Sequence, residues 1–100
     1  MNEFRIILSE ETNKDIQDLF DFIELNFKAP LTAKSYILGL FSSIDLLSHS
    51  ADSYPIQNHK SFLKYGLFVR RLNYKKMVII FTLENDIAFI LRIIPGVLII

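Results

Sequence analysis

The chain has no cysteine, only two histidines, and no long apolar run. Without cysteine there can be no disulfide framework and no thiolate metal site. His49 and His59 are too few for a histidine-built zinc site without carboxylate help, so neither a metal nor a cofactor is expected. The longest apolar stretch, Ile87 to Ile100, covers 14 residues and is interrupted by Arg92 and Pro95. That is short of the roughly 18–20 residues needed to cross a bilayer. At the start, Met1 leads directly into Asn2 and Glu3, with no charged segment ahead of an apolar core, so no secretory leader is expected. Repeats, low-complexity segments and linkers are also lacking. Together these absences point to a soluble cytoplasmic protein that does not engage membranes.

The 100 residues fit one domain, 1–100, and 51% apolar with 13% aromatic residues supply a real core. Net charge is zero but unevenly divided. Residues 1–59 hold four Lys/Arg against nine Asp/Glu, and residues 60–100 hold seven against two. A net of −5 facing a net of +5 suggests one basic working surface, or an acidic helical half packed on a basic sheet half.

Phe4 to Leu8 is short, apolar and β-branched, and reads as a strand. Ser9 suits a helix N-cap, and Glu10 and Glu11 suit the positive end of the helix dipole. Ile16, Leu19, Phe20, Ile23 and Phe27 follow at helical spacing, with Asp15, Asp18, Asp21 and Glu24 opposite, predicting a helix over about 10–27. Pro30 disfavours helical geometry at Ala29 and ends it. A second helix is predicted from near Leu31 to near Ser48, with Ala33, Ile37, Leu40, Ile44 and Leu47 as its apolar stripe. Residues 49–65 are mostly polar and read as a long irregular loop. Three strands are predicted after it: Leu67–Asn73, Met77–Leu83 and Ile87–Ile93, with turns at 73–76 and 84–86. Met77 to Phe81 is apolar on both alternation phases, as in a central strand covered on both faces. The fold class is α+β: a two-helix hairpin on a small, mostly antiparallel sheet, in the order β-α-α-β-β-β. The first strand must join that sheet, since alone its backbone would stay unpaired.

Several short motifs recur in this order in one family. The helix start Thr12-Asn-Lys-Asp15-Ile16, the pair Phe22-Ile23, the break at Pro30 with Ala33 after it, and Tyr54-Pro55 in the loop come first. Gly66-Leu-Phe-Val-Arg70, Tyr74-Lys-Lys-Met77-Val-Ile79-Ile-Phe81 and Ile87-Ala-Phe-Ile90-Leu91-Arg92-Ile93 complete the pattern. With these the chain resembles toxins of the RelE/ParE superfamily, from bacterial type II toxin–antitoxin modules of the plasmid-stabilisation type. The resemblance implies a cognate antitoxin partner whose disordered tail wraps the toxin, and a hetero-oligomer with it. It also implies one of two targets. ParE-like members poison DNA gyrase without chemistry of their own. RelE-like members are ribosome-dependent mRNA endonucleases that need no metal, because cations stabilise the charged phosphorane. A third possibility is an inactive relative that only binds antitoxin and regulates its operon.

The chain departs from the nuclease pattern. Val78 stands where a functional arginine is expected, and the end, Arg92-Ile-Ile-Pro95-Gly96-Val-Leu-Ile-Ile100, has no histidine, no tyrosine and no cation beyond Arg92. The ParE-like reading is therefore preferred. For a nuclease the catalytic candidates would be Arg71, Tyr74 and Arg92. Candidate contacts to target or antitoxin are Lys60, Lys64, Arg70, Arg71, Lys75 and Lys76. Each has a plainer alternative. Arg70 and Arg71 point to opposite faces, and Arg70 would then pair with Asp15 or Asp18. Lys60, Lys64, Lys75 and Lys76 would be solvated, as would His49 and His59. Tyr74 would pack at a strand end. Arg92, inside an apolar strand, must find an anion if buried. The apolar tail Val97–Ile100 would dock on the core or join an interface.

Overall fold

The computed structural model describes residues 3–99; Ile100 of the apolar tail and the side chain of Phe27 lie outside what it describes. Strand β1 (Arg5–Leu8) leads through Ser9 into helix α1 (Glu10–Phe27). Ser9 is the N-cap, its Oγ accepting from the Thr12 amide at 3.0 Å. Lys28, left-handed at φ 49°, ends the helix. Ala29 is non-helical at φ −135° and ψ 83°, and Pro30 opens α2 (Pro30–Asp45) at the first-turn position where a missing N–H costs nothing. A short α3 (Leu47–Ser50) follows. Strands β2 (Arg70–Tyr74), β3 (Met77–Glu84) and β4 (Ile87–Pro95) form the meander.

The sheet runs β1-β4-β3-β2, with β1 parallel to β4 and the other pairs antiparallel. The first strand joins the sheet as expected, and β3 is internal. Both hairpins have two-residue turns whose first residue is left-handed, Lys75 at φ 53° and Asn85 at φ 56°. β1 pairs with β4 only as far as Ile90. Beyond that point side chains of the helix start take over the exposed edge. Ile90 and Leu91 carbonyls accept from Thr12 Oγ1 at 2.8 Å and Ser9 Oγ at 3.0 Å. The Ile93 amide donates to Asp15 Oδ2 at 2.9 Å. Positions 9, 12 and 15 recur at one helical turn, so they line one side of α1. A bulge between Ile80 and Phe81 of β3 leaves Leu91 unopposed where this exchange occurs.

Two apolar clusters flank the sheet. On the helix side, Ile37, Leu40 and Ile44 of α2 meet Met77, Ile79 and Phe81 of β3 and Ile90 and Ile93 of β4. On the other side, Val78, Ile80 and Ile94 meet Val69 and Phe62. Phe62 belongs to a 3-10 segment, Lys60–Tyr65. The segment read from sequence as irregular is therefore largely turned structure, with Ala51 and Phe62 buried. The polar composition hid this, because of the six side chains of Lys60–Tyr65 only Phe62 is buried, with Tyr65 partly buried against the same cluster. β2 also starts later than the predicted Leu67. Gly66 at φ 128° and Phe68 at φ 62° break the extended chain, and pairing begins at Arg70.

Candidate functional site

The alternation of β2 decides where its side chains go. Leu72 and Tyr74 pack on the helix side, while Arg71 turns to the opposite face. There its guanidinium lies over the Phe62 ring, 5.6 Å from the centroid, and Nε and Nη2 donate to Asn73 Oδ1 at 3.1 and 2.8 Å. Arg70 does not reach Asp15 or Asp18. Its Nη1 donates to the carbonyls of Tyr54 and Asp52 at 2.6 and 3.2 Å, fastening the loop before the strand. The strand order keeps Arg70 apart from Asp15 and Asp18. β2 is at the far edge of the sheet from the start of α1, and Arg92 on β4 lies beside it. Arg92 takes the helix carboxylate, Nε to Asp15 Oδ2 at 2.8 Å and Nη2 to Oδ1 at 3.0 Å. That hydrogen bond to Asp15 raises the guanidinium's already high pKa further, partly opposed by burial.

Tyr74 is a packed residue. Its hydroxyl donates to the Tyr36 carbonyl at 2.9 Å, and the two rings meet edge-to-face at 5.1 Å and 74°. Gly39 makes room for this: a Cβ there would collide with the Tyr74 hydroxyl. Burial, and then the nearby Tyr74, push the Tyr36 hydroxyl above its ordinary 10.0, so it keeps its proton at neutral pH. Lys75 sits over both rings, 5.2 Å from Tyr36 and 5.7 Å from Tyr74. Lys60 and Lys64 are exposed on the 3-10 segment, Lys64 over the Tyr65 ring at 5.3 Å. His59 is exposed, and its Nδ1 accepts from the Ser61 amide at 3.1 Å. His49 is exposed beside Glu3 at 3.7 Å. Among the described residues no group of three or more His, Asp or Glu could hold a metal ion, and no helix is long and apolar enough to cross a membrane.

The structure thus brings Lys75 and Lys76 together but spreads the nuclease candidates. Arg71 lies on one face of the sheet, Tyr74 on the other, and Arg92 is bound to a carboxylate at the β4 edge. Val78, at the position where an arginine was sought, is 2% exposed in the second cluster.

Sequence reasoning missed the groove beside the basic turn. Leu19, Phe22 and Ile23 of α1, Tyr36 of α2 and Met77 line a cavity of about 470 Å³ with Lys75 and Lys76 at its rim. A second hollow of about 570 Å³ shares Leu19, Phe22, Lys76 and Met77 and runs on to Ile94, Val97 and Leu98. The available signal was Phe22, an aromatic residue off the helix's buried stripe and 59% exposed. The tail residues Val97 and Leu98 are exposed along this groove, while Ile99 packs on the second cluster.

The molecule is thus a mixed four-stranded sheet under a helical hairpin, with an apolar groove edged by lysines. Residues 6–97 match the family model described as ParE toxin of type II toxin-antitoxin system, parDE. The chain belongs to the ParE toxin family. A solved structure described as "Chromosomal ParDE TA system from P. aeruginosa" matches it with a TM-score of 0.77 at 15% identity, over 93% of this chain and 96% of that one. At that identity the likeness is one of fold, and it agrees with the α+β architecture found here. No curated protein matches the chain. The order β-α-α-β-β-β and the parallel β1–β4 pair form the frame that carries the groove.

Proposed function

We propose that this ParE-family chain is a toxin that inhibits DNA gyrase by binding it, performs no chemistry of its own, and is neutralised by a cognate antitoxin. The observation that carries the binding-only reading is the separation of Arg71, Tyr74 and Arg92. Phosphoryl chemistry without a metal needs cations and an acid–base group aimed at one phosphate. Here one candidate faces Phe62, one is packed on Tyr36, and one is neutralised by Asp15. The groove supports the antitoxin. An amphipathic segment laid along Leu19, Phe22 and Met77 would set its carboxylates against Lys75 and Lys76.

The test is supercoiling by purified gyrase with the toxin alone and with antitoxin added, alongside primer extension on mRNA from induced cells. Inhibition that antitoxin reverses, with mRNA intact, is the expected result. Cuts within translated codons that disappear in Arg71→Ala would instead establish an mRNA interferase. Antitoxin binding with neither effect would leave an operon regulator.

A further inference from the structure

The segment from Lys60 to Phe68 displays apolar side chains outward on a fixed backbone. Leu63, Leu67 and Phe68 are 54%, 68% and 67% exposed. None of them lines the groove described above. The segment is tightly held on both sides. Phe62 and Val69 are buried to 2% and 1% exposure. The Gly66 amide donates to Leu63, the Gln57 amide to Val69, and Ile56 bridges to Arg70. His59 caps the 3-10 segment's first turn.

The backbone is what turns these side chains out. In an extended chain Leu67 would share the inward side of Val69. Gly66 at φ 128° and Phe68 at φ 62° break that alternation, and both Leu67 and Phe68 end up facing solvent. A left-handed conformation is costly for a bulky residue, and it persists only where its surroundings impose it. The charge is one-sided as well. Residues 60–76 carry six Lys/Arg and no Asp or Glu. Arg70 is committed to loop carbonyls and Arg71 to Asn73 and Phe62. Lys60 and Lys64 lie exposed on the same segment, Lys64 over the Tyr65 ring, with no carboxylate in ion-pair distance among the described residues.

We infer that Leu63, Leu67 and Phe68, flanked by Lys60 and Lys64, form a second docking surface for the toxin's protein target, and that it fits an apolar pocket rimmed by carboxylates. Two exposed leucines favour a protein over nucleic acid, which offers aromatic stacking and phosphates but no aliphatic pocket. The inference rests on the gyrase reading and deepens it by separating the target surface from the antitoxin groove.

Phe68→Asn is the discriminating variant, because asparagine accepts the left-handed backbone and the Phe68 side chain is largely exposed. It is expected to melt no lower than the wild type and to bind antitoxin unchanged, while its inhibition of purified gyrase weakens by about tenfold or more, as for an interface anchor. Lys60→Glu with Lys64→Glu should weaken inhibition too, most at low salt. Wild-type inhibition matched by Phe68→Asn overturns this surface and leaves the gyrase reading intact. A wild type that leaves gyrase unaffected overturns that reading, and this surface with it. Loss of antitoxin binding in Phe68→Asn would assign the patch to the antitoxin, and loss of RNA or DNA binding alone would assign it to nucleic acid. Either result overturns the inference.

Discussion

On its helix side the sheet is covered by α1 and α2, whose apolar residues come at regular helical spacing. On its other side it is covered by Phe62, Val69 and the end of the chain. The first cover is thick and continuous. The second hangs from a few anchors and leaves Leu63, Leu67 and Phe68 in solvent. Both faces bury β3 between Met77 and Phe81, and both covers keep apolar side chains in solvent: Phe22, Leu25, Leu31 and Leu38 at helical intervals on one, Leu63, Leu67 and Phe68 on the irregular other. A regular element buries a stripe along its length, whereas an irregular one buries single residues and can display the rest.

Substitutions can break this contrast from either side. The largest effect should come from Phe81→Ala, where a fully buried ring on the helix side is lost. It should cost about 3–5 kcal/mol, read as a lower midpoint in urea. Phe62→Ala removes the anchor of the thinner cover and should cost less, about 2–3 kcal/mol, because the segment can settle over the gap. Hydrogen exchange should then quicken over residues 56–69 while α2 stays protected. Equal losses for the two variants would erase the contrast. Asp15→Ala takes the acceptor from both Arg92 and the Ile93 amide. It should cost about 2 kcal/mol and expose the end of β4 to exchange.

Phe68→Asn sharpens the contrast in the opposite direction. Relief of the left-handed phenylalanine should stabilise the fold by about 0.5–1 kcal/mol, a rise of a few degrees in Tm. The smallest effect is a pH dependence. Because Tyr36 has a raised pKa in the fold, its contribution is full below pH 10.0 and is lost as pH rises through the folded value. Tyr36→Phe should therefore flatten the alkaline loss of stability, compared by urea melts at about pH 9 and about pH 11.

The regular parts of this chain were readable because their physics is local. The spacing of Ile16, Leu19 and Ile23, the cap at Ser9 and the break at Pro30 each act within a turn or two. The two-faced apolarity of Met77–Phe81 announced an internal strand. What escaped depends on distant partners. Arg70 and Arg92 look alike in sequence, and only the strand order places Asp15 beside Arg92. The 3-10 segment hides behind a polar composition, since Phe62 and Tyr65 carry its anchoring. The groove joins α1 to the β2–β3 turn and the chain's last strand, so no single stretch could reveal it. The basic hairpin was visible as a charge pattern, but the division of its cations between structural ties and exposed tips was not.

The exchange of partners along β4 has one more consequence. Ile-Ala-Phe-Ile-Leu-Arg-Ile-Ile is the kind of strand that, with an open edge, invites the same strand of a neighbouring molecule. β1 guards only its first half. Ser9, Thr12 and Asp15 take up the Leu91 and Ile90 carbonyls and the Ile93 amide beyond it, and the Asp15–Arg92 ion pair stands at the place where a stacked copy would have to enter. The side chains that begin a helix thus take backbone groups at which another strand would have to pair.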